Sequence, residues 1–310
     1  MFLRVGKVVL LKANSWLFVV LLALMNSAVC ASANKVVTST HPLALITAEL
    51  VPTVITVESV GGRNHGLHHQ GFKPSQIKRV SEADLVLWLG VEIDASFAKV
   101  MAKAEPFAIR DLAALVSLQA PLSSSVKEHG ERHDDHHGAI DVHVWLNPLN
   151  ALALAAEISL QLVSTWPQYK AEIEANFRQF RSKIEPISIE SLEKYQNRDF
   201  LALHDAYGHL ARFYGLNSIG AIVGSAGEKP GAQHLWQLEK QLNGRDAICI
   251  LVQPQFSQRY LSSIGNVVSV VSAEIDPAAS DYIVTKGEFI RYSKDIAKSL
   301  AACISLEIKG

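Results

Sequence analysis

The sequence predicts an α/β chain of two lobes, each a small parallel sheet flanked by helices, joined by a long rigid connector helix. Two blocks of short apolar runs alternate with helical segments, and strands alternating with helices build parallel sheets. Between the blocks, residues 148–198 read as helical almost throughout. Composition agrees: with 49% hydrophobic and 19% charged residues the chain can bury real cores and is not disordered. At about 150 residues per domain, its 310 residues suggest two such units.

In the first block, Lys35 to Thr40 (KVVTST) reads as a strand and Leu43 to Leu50 as a helix. Val54 to Val60 reads as a second strand. Pro74 opens a helix, because proline suits the first turn, where its missing N–H costs nothing. Asp84 to Leu89 (DLVLWL) is a short apolar strand, a helix follows from Ala95, and Phe107 to Ile109 completes the set. Residues 121–138 break the pattern: polar, rich in Ser and His and without periodicity, they read as a loop. Asn147-Pro148 then supplies a helix cap followed by proline at the first helical position. The connector is interrupted at Trp166-Pro167 and kinked at Pro186. In the second block the strands are 200–203, 218–223, 247–252 and 267–271. Its helices are 206–214, 231–242, 257–264 and 286–304.

The N-terminus reads as an export signal. Arg4, Lys7 and Lys12 form a positive start without an acid, Trp16 to Met25 are apolar without a break, and Ala31-Ser32-Ala33 gives the small-x-small cleavage pattern. A membrane anchor would want roughly 20 apolar residues, more than are present. A lipid-modified Cys30 would want a small residue before it, and Val29 is not one. Cleavage is expected near Ala33. The organisation is thus 1–33 signal peptide, 34–147 first lobe with a His-rich loop at 128–138, 148–198 helical connector and 199–310 second lobe. Cleavage removes Cys30 and leaves Cys249 and Cys303, which in an oxidising compartment either pair or remain as two buried thiols. Formal charge is 29 − 30 = −1 and becomes 26 − 30 = −4 after cleavage, which argues against nucleic acid as a partner.

Histidine is the residue type that stands out. His68 and His69 lie in a Gly-rich loop ahead of Pro74, and His129, His133, His136 and His137 lie among Glu and Asp in the polar loop. His143 follows in DVHVW, and His204 ends a predicted strand. Ligands in such sheets gather at the carboxyl ends of strands, and neutral imidazole suits borderline metals such as zinc. Each signal has a plainer reading: a strand-end histidine can be structural, and the loop can be a solvated tract. His41, His209 and His234 have no partner motif and read as structural. Gly224-Ser225-Ala226-Gly227 is not a nucleophile elbow, since Val223 replaces the needed glycine. His129 to His133 is not HExxH, and no phosphate loop or dinucleotide fingerprint is present.

Several segments together resemble one family. HHQGFKPSQ, ADLVLWLG, DVHVWLNP, HDAYGHLARFYGL, KPGAQHLWQLEKQL, QPQF and Asp276-Pro277 are similar to segments of the metal-binding solute receptors of bacterial ABC importers. The likeness spans about Lys35 to Cys303 and is greatest to the zinc-specific periplasmic branch (cluster A-I, family 9). The resemblance implies His68, His143 and His204 as metal ligands, Asp276 or water as the fourth, and a disulfide between Cys249 and Cys303. His65 and His69 compete with His68 for the first position. The chain departs from the pattern at Gln253, where many members carry Glu, at His209, where an aromatic is common, and at Leu67, where some zinc receptors have an acid.

The implied function is capture of Zn²⁺ in the periplasm and its delivery to an ABC permease with its ATPase, by a monomer that is not an enzyme. Three imidazoles and one carboxylate suit tetrahedral zinc at about 2.0 Å, whereas harder oxygen ligands suit manganese. The loop histidines 129, 133, 136 and 137 would form a secondary, weaker metal site. The alternatives are a manganese or iron receptor of the same family, a zinc-dependent hydrolase and a metal-dependent surface adhesin, against which Val29 ahead of Cys30 argues. The hydrolase needs a general base beside the metal, for which only Asp205 and Asp276 offer themselves.

Overall fold

The computed structural model describes residues 34–61, 63, 71–91, 94–104, 109–111, 141–189, 196–224 and 229–306. The signal segment, His65, His68 and His69, and the histidine loop lie outside these. The first sheet contains β1 (Asn34–Thr38), β2 (Ile55–Ser59), β3 (Leu85–Trp88) and β4 (Ile109–Asp111), in the order β2-β1-β3-β4. β1 runs parallel to β3 with Val36 opposite Leu85, and β3 runs parallel to β4 with Val86 opposite Ile109. The intervening helices are α1 (His41–Leu50), α2 (Pro74–Ser81) and α3 (Ala95–Ala104). Thr40 caps α1 through its side chain, and proline occupies the first turn of both α1 and α2.

The second sheet repeats the plan. β5 (Asp199–His204), β6 (Asn217–Val223), β7 (Ala247–Val252) and β8 (Ser269–Glu274) lie in the order β6-β5-β7-β8, all parallel. The connecting helices are α6 (Gly208–Tyr214), α7 (Ala232–Leu242), α8 (Leu261–Gly265) and, after β8, α9 (Glu288–Leu306). In both sheets the winding reverses at a central pair, β1/β3 and β5/β7. A crevice opens at the carboxyl ends of such a pair.

The long connector is divided where the sequence interrupts it: α4 (Pro148–Thr165) and α5 (Lys170–Ile189) pack against each other across a 3-10 turn at Pro167–Tyr169. Pro167 is the reason. It cannot donate to the helical ladder, and it drives Trp166 to φ −129° and ψ 72°. By contrast α5 continues through Pro186 to Ile189. Two second-lobe elements shift from the sequence expectation. β8 begins at Ser269 because the amides of Val267 and Val268 both bond back to the Ile264 carbonyl, closing α8. The helix expected over 257–264 is split into a 3-10 turn, Gln258–Tyr260, and the short α8.

From Lys35 onward the chain forms one compact unit, because one apolar cluster runs through all three parts. It contains Val36 and Leu85 of the first sheet, Leu154 and Phe180 of the connector, and Phe200, Leu251 and Phe289 of the second lobe. Period-two alternation splits β5 between faces: Phe200 and Ala202 enter this cluster, while Leu201 and Leu203 enter a separate one with Ile248 and Ile250. Both faces of the sheet are therefore covered, as parallel sheets require, and the strands read as unbroken apolar runs. Polar ties join the halves. The Glu49 carboxylate of α1 accepts from the amides of Gly287 (2.9 Å) and Phe289 (3.2 Å), and His41 Nε2 donates to the Tyr282 carbonyl (2.9 Å). The Asn176 amide of α5 donates to the Leu50 carbonyl (3.0 Å).

Cys249 of β7 and Cys303 of α9 are joined as a disulfide with Cα atoms 5.5 Å apart, tying the last helix to the sheet's interior. Among the described residues no helix is long and apolar enough to cross a membrane.

Candidate metal centre

His204 is the last residue of β5, at the winding reversal of the second sheet. Its side chain is fully buried. Nδ1 lies 3.0 Å from the amide oxygen of Gln253, which directly follows β7. A neutral imidazole in that contact carries its hydrogen on Nδ1, which makes Nε2 the lone-pair nitrogen. Phe256 stacks on the ring, with centroids 4.3 Å apart and planes at 16°. Phe256 is itself placed by the bond from its amide to the Gln253 carbonyl (3.1 Å). One short turn after β7 thus provides both the acceptor and the stacking face that orient the imidazole.

His143 comes from the other side. It precedes the 3-10 turn Val144–Leu146 that leads into α4, and Asn147 caps that helix by accepting from the Leu149 amide (2.9 Å). One carboxylate oxygen of Asp141 accepts from both the His143 amide (3.0 Å) and His143 Nδ1 (2.8 Å). A neutral imidazole in that contact again carries its hydrogen on Nδ1, which makes Nε2 the lone-pair nitrogen. Burial pushes the Asp141 carboxyl up, but the hydrogen bond and charge of His143, with help from His209, more than offset it and hold the group at about 2. Asp141 is therefore an anion throughout the neutral range.

The two imidazoles meet. Their centroids are 5.8 Å apart and their planes perpendicular at 89°. Among the described residues no group of three or more His, Cys, Asp or Glu converges closely enough to hold a metal, so Asp276 does not close on the pair in this structure. Its carboxylate instead accepts from the amides of Ala278 and Ser280 (both 2.9 Å), from Gln255 Nε2 (3.1 Å) and from the Ser280 hydroxyl. Ala279 inside this turn holds φ at +52°, a left-handed conformation unusual for a residue with a side chain. The turn is pinned by both histidine segments. Trp145, two residues after His143, donates to the Pro277 carbonyl (2.8 Å), and Tyr207, three after His204, donates to the Ile275 carbonyl (2.8 Å). Asp205 is half-buried beside His204.

The three histidines without motifs each find a backbone carbonyl: His41 that of Tyr282, His234 that of Ala221 (2.8 Å) and His209 that of Asp141 (3.0 Å). His209 also donates its own amide to Asp141 Oδ2 (3.3 Å), so it braces the group behind His143. Burial lowers its pKa, against the opposing pull of Asp141. Sequence reasoning passed over Asp141 and Phe256. The spacing Asp-x-His was the available signal for the first, since a short acid two residues ahead can reach the following backbone and ring. Nothing local marked the second, whose role comes from the turn after β7.

Comparison with known proteins gives the chain's family and fold. The family described as zinc-uptake complex component A, periplasmic, matches residues 36–303. The high-affinity zinc uptake system protein ZnuA of Yersinia pestis is 29% identical over 319 aligned positions, covering 95% of this chain and 100% of that protein. A crystal structure of ZnuA shares the fold at a TM-score of 0.72 and 23% identity, over 87% of this chain and 99% of that one. The solute-binding protein FpvC of Pseudomonas aeruginosa, solved with Mn²⁺, does so at 0.73 and 18% identity, over 88% and 99%.

Proposed function

Because the chain belongs to the family of periplasmic component A proteins of zinc-uptake complexes, we propose that it captures Zn²⁺ between its lobes and delivers it to an ABC permease and its ATPase. The observation that carries this reading is the meeting of His143 and His204, brought from different parts of the chain, each oriented by an acceptor at Nδ1. The ligand set is His68, His143, His204 and Asp276. His143, His204 and Asp276 lie among the described residues, and His68 lies outside them. Three nitrogens and one oxygen favour zinc over manganese, which prefers harder oxygen ligands. The metal is cargo, and the chain's own work is to bind, orient and release it. The loop histidines 129, 133, 136 and 137, which lie outside the described residues, collect further zinc more weakly than the four-ligand site. Periplasmic residence follows from the signal at 1–33, cleaved near Ala33.

Titration of the metal-free mature protein with Zn²⁺ and Mn²⁺ in competition tests the reading. His143→Ala and His204→Ala should each weaken zinc at least about tenfold, since a tetrahedral site has few ligands to lose. Parental affinity in both variants would sink the site, and tighter Mn²⁺ than Zn²⁺ binding in the parent would make the protein a manganese receptor.

A further inference from the structure

The two imidazoles are held from behind by groups of different charge. Behind His143 stands a carboxylate, with Asp141 Oδ1 at 2.8 Å from Nδ1. Behind His204 stands an amide, with Gln253 Oε1 at 3.0 Å. In each case the acceptor selects the tautomer and aims Nε2. The two differ in what they do to the ring. A carboxylate draws the Nδ1 hydrogen toward itself, raises electron density at Nε2 and adds a negative charge next to a divalent cation. A neutral amide orients the ring and supplies neither effect.

The setting of Gln253 keeps this contrast intact. Its side chain is buried at 8% exposure, its carbonyl is tied to the Phe256 amide, and Phe256 covers one face of the imidazole. The amide therefore cannot exchange readily with water as a partner for Nδ1, and the stacked ring resists rotation. Whatever Gln253 imposes on His204 is carried into the metal bond.

We infer that Gln253 is the positioning residue that sets how tightly His204 holds the metal and how fast that bond opens: it fixes the ring as a donor and, by being neutral, leaves it the weaker of the two. This rests on the reading of His143 and His204 as ligands. Its consequence is a site anchored on His143 and opened from the His204 side, with affinity limited in favour of release. A receptor that must surrender its cargo gains from one bond that is well aimed and moderately strong.

The test uses the full mature chain and four proteins: parent, Gln253→Glu, Gln253→Met and His204→Ala. Zinc affinity is read by competition with a chromophoric chelator, and the dissociation rate in excess chelator. The site itself is read from the visible absorption of bound Co²⁺. Gln253→Glu should bind zinc roughly tenfold more tightly and release it correspondingly more slowly, the lower end of what an outer partner controls. Its metal-free form should be less stable in urea, because a buried charge then lacks its cation. Gains in holding metal with losses in apo stability are opposite signs that a purely structural role would not give. Gln253→Met, which keeps the volume and removes the acceptor, should bind about tenfold more weakly with an altered Co²⁺ spectrum. If His204→Ala loses at least tenfold and Gln253→Glu matches the parent within twofold in affinity and release, the inference is overturned while the site stands. If Gln253→Glu does not fold, parental affinity and spectrum in Gln253→Met overturn it equally. Parental affinity in His204→Ala defeats the site reading, and this inference with it.

Discussion

The two sheets share a strand order and a winding reversal but differ in how they are secured. The second has strands of six or seven residues and is closed by a disulfide from β7 to α9. The first has strands of five, five, four and three residues, and no disulfide reaches it among the described residues. It leans on the rest of the molecule instead. α1 is buried along its whole length, Glu49 reaches the start of α9, and His41 reaches the Tyr282 carbonyl. One half is thus stapled internally and the other is held by what it shares. The proposed metal site would inherit this: His204 sits on the stapled sheet, whereas His143 depends on a turn braced across the shared core.

The largest test of this contrast strikes the shared core. Phe289 is fully buried and contacts Phe180 and Tyr292, with centroids 5.9 Å away in each case. Phe289→Ala should cost about 3–5 kcal/mol of stability in urea unfolding. Amide exchange should rise more in β1 and β3 than in β5 and β7, because the first sheet has no staple of its own. Equal loss of protection in both sheets would remove the distinction.

Breaking the staple should act on the other half. Cys249→Ser with Cys303→Ser opens a separation of 54 residues and should cost about 2–4 kcal/mol. The loss should show first in exchange at β7, β8 and α9. A thiol assay on denatured, unreduced mature protein should find no free thiol, and two per chain would refute the bridge under export conditions.

The fold was legible because its local signals agree. Asn147, Pro74 and Pro148 mark helix starts, and strands buried on both faces leave apolar runs such as LVLW and AICILV. What escaped was set by hydrogen bonds that a sequence pattern does not carry. The closing bonds of α8 moved the start of β8 by two residues, whereas the break at Trp166-Pro167 was readable from the proline itself. In the candidate site, the motifs singled out His143 and His204, whose rings the fold brings together, and the neutral Gln253. The bracing of Asp141 by His209, 68 residues away, and the stacking of Phe256 on His204 exist only once the chain has folded.

The smallest expected effect concerns Glu49, the polar link from the first half to α9. Burial raises its pKa above the usual 4.5, and the amides of Gly287, Ile290 and Phe289, which favour the anion, only partly oppose this. The sign follows from linkage. A carboxyl that is easier to protonate in the folded state binds more protons there than when unfolded, so stability falls as pH rises from about 4.5 through the raised folded value. Glu49→Gln keeps an oxygen for the α9 amides and removes the titration, so its stability should lack this slope. Chemical unfolding across pH 4.5 to 8 should therefore show the variant gaining on the parent as pH increases. The gain should be smaller than either loss above, because the anion still has amide partners at a helix start. Glu49→Ala, which deletes the acceptor, should lose stability across the range and loosen the first sheet selectively. If Glu49→Gln tracks the parent at every pH, the carboxylate is a solvated residue and not a buried link, and the first half is held by its apolar contacts alone.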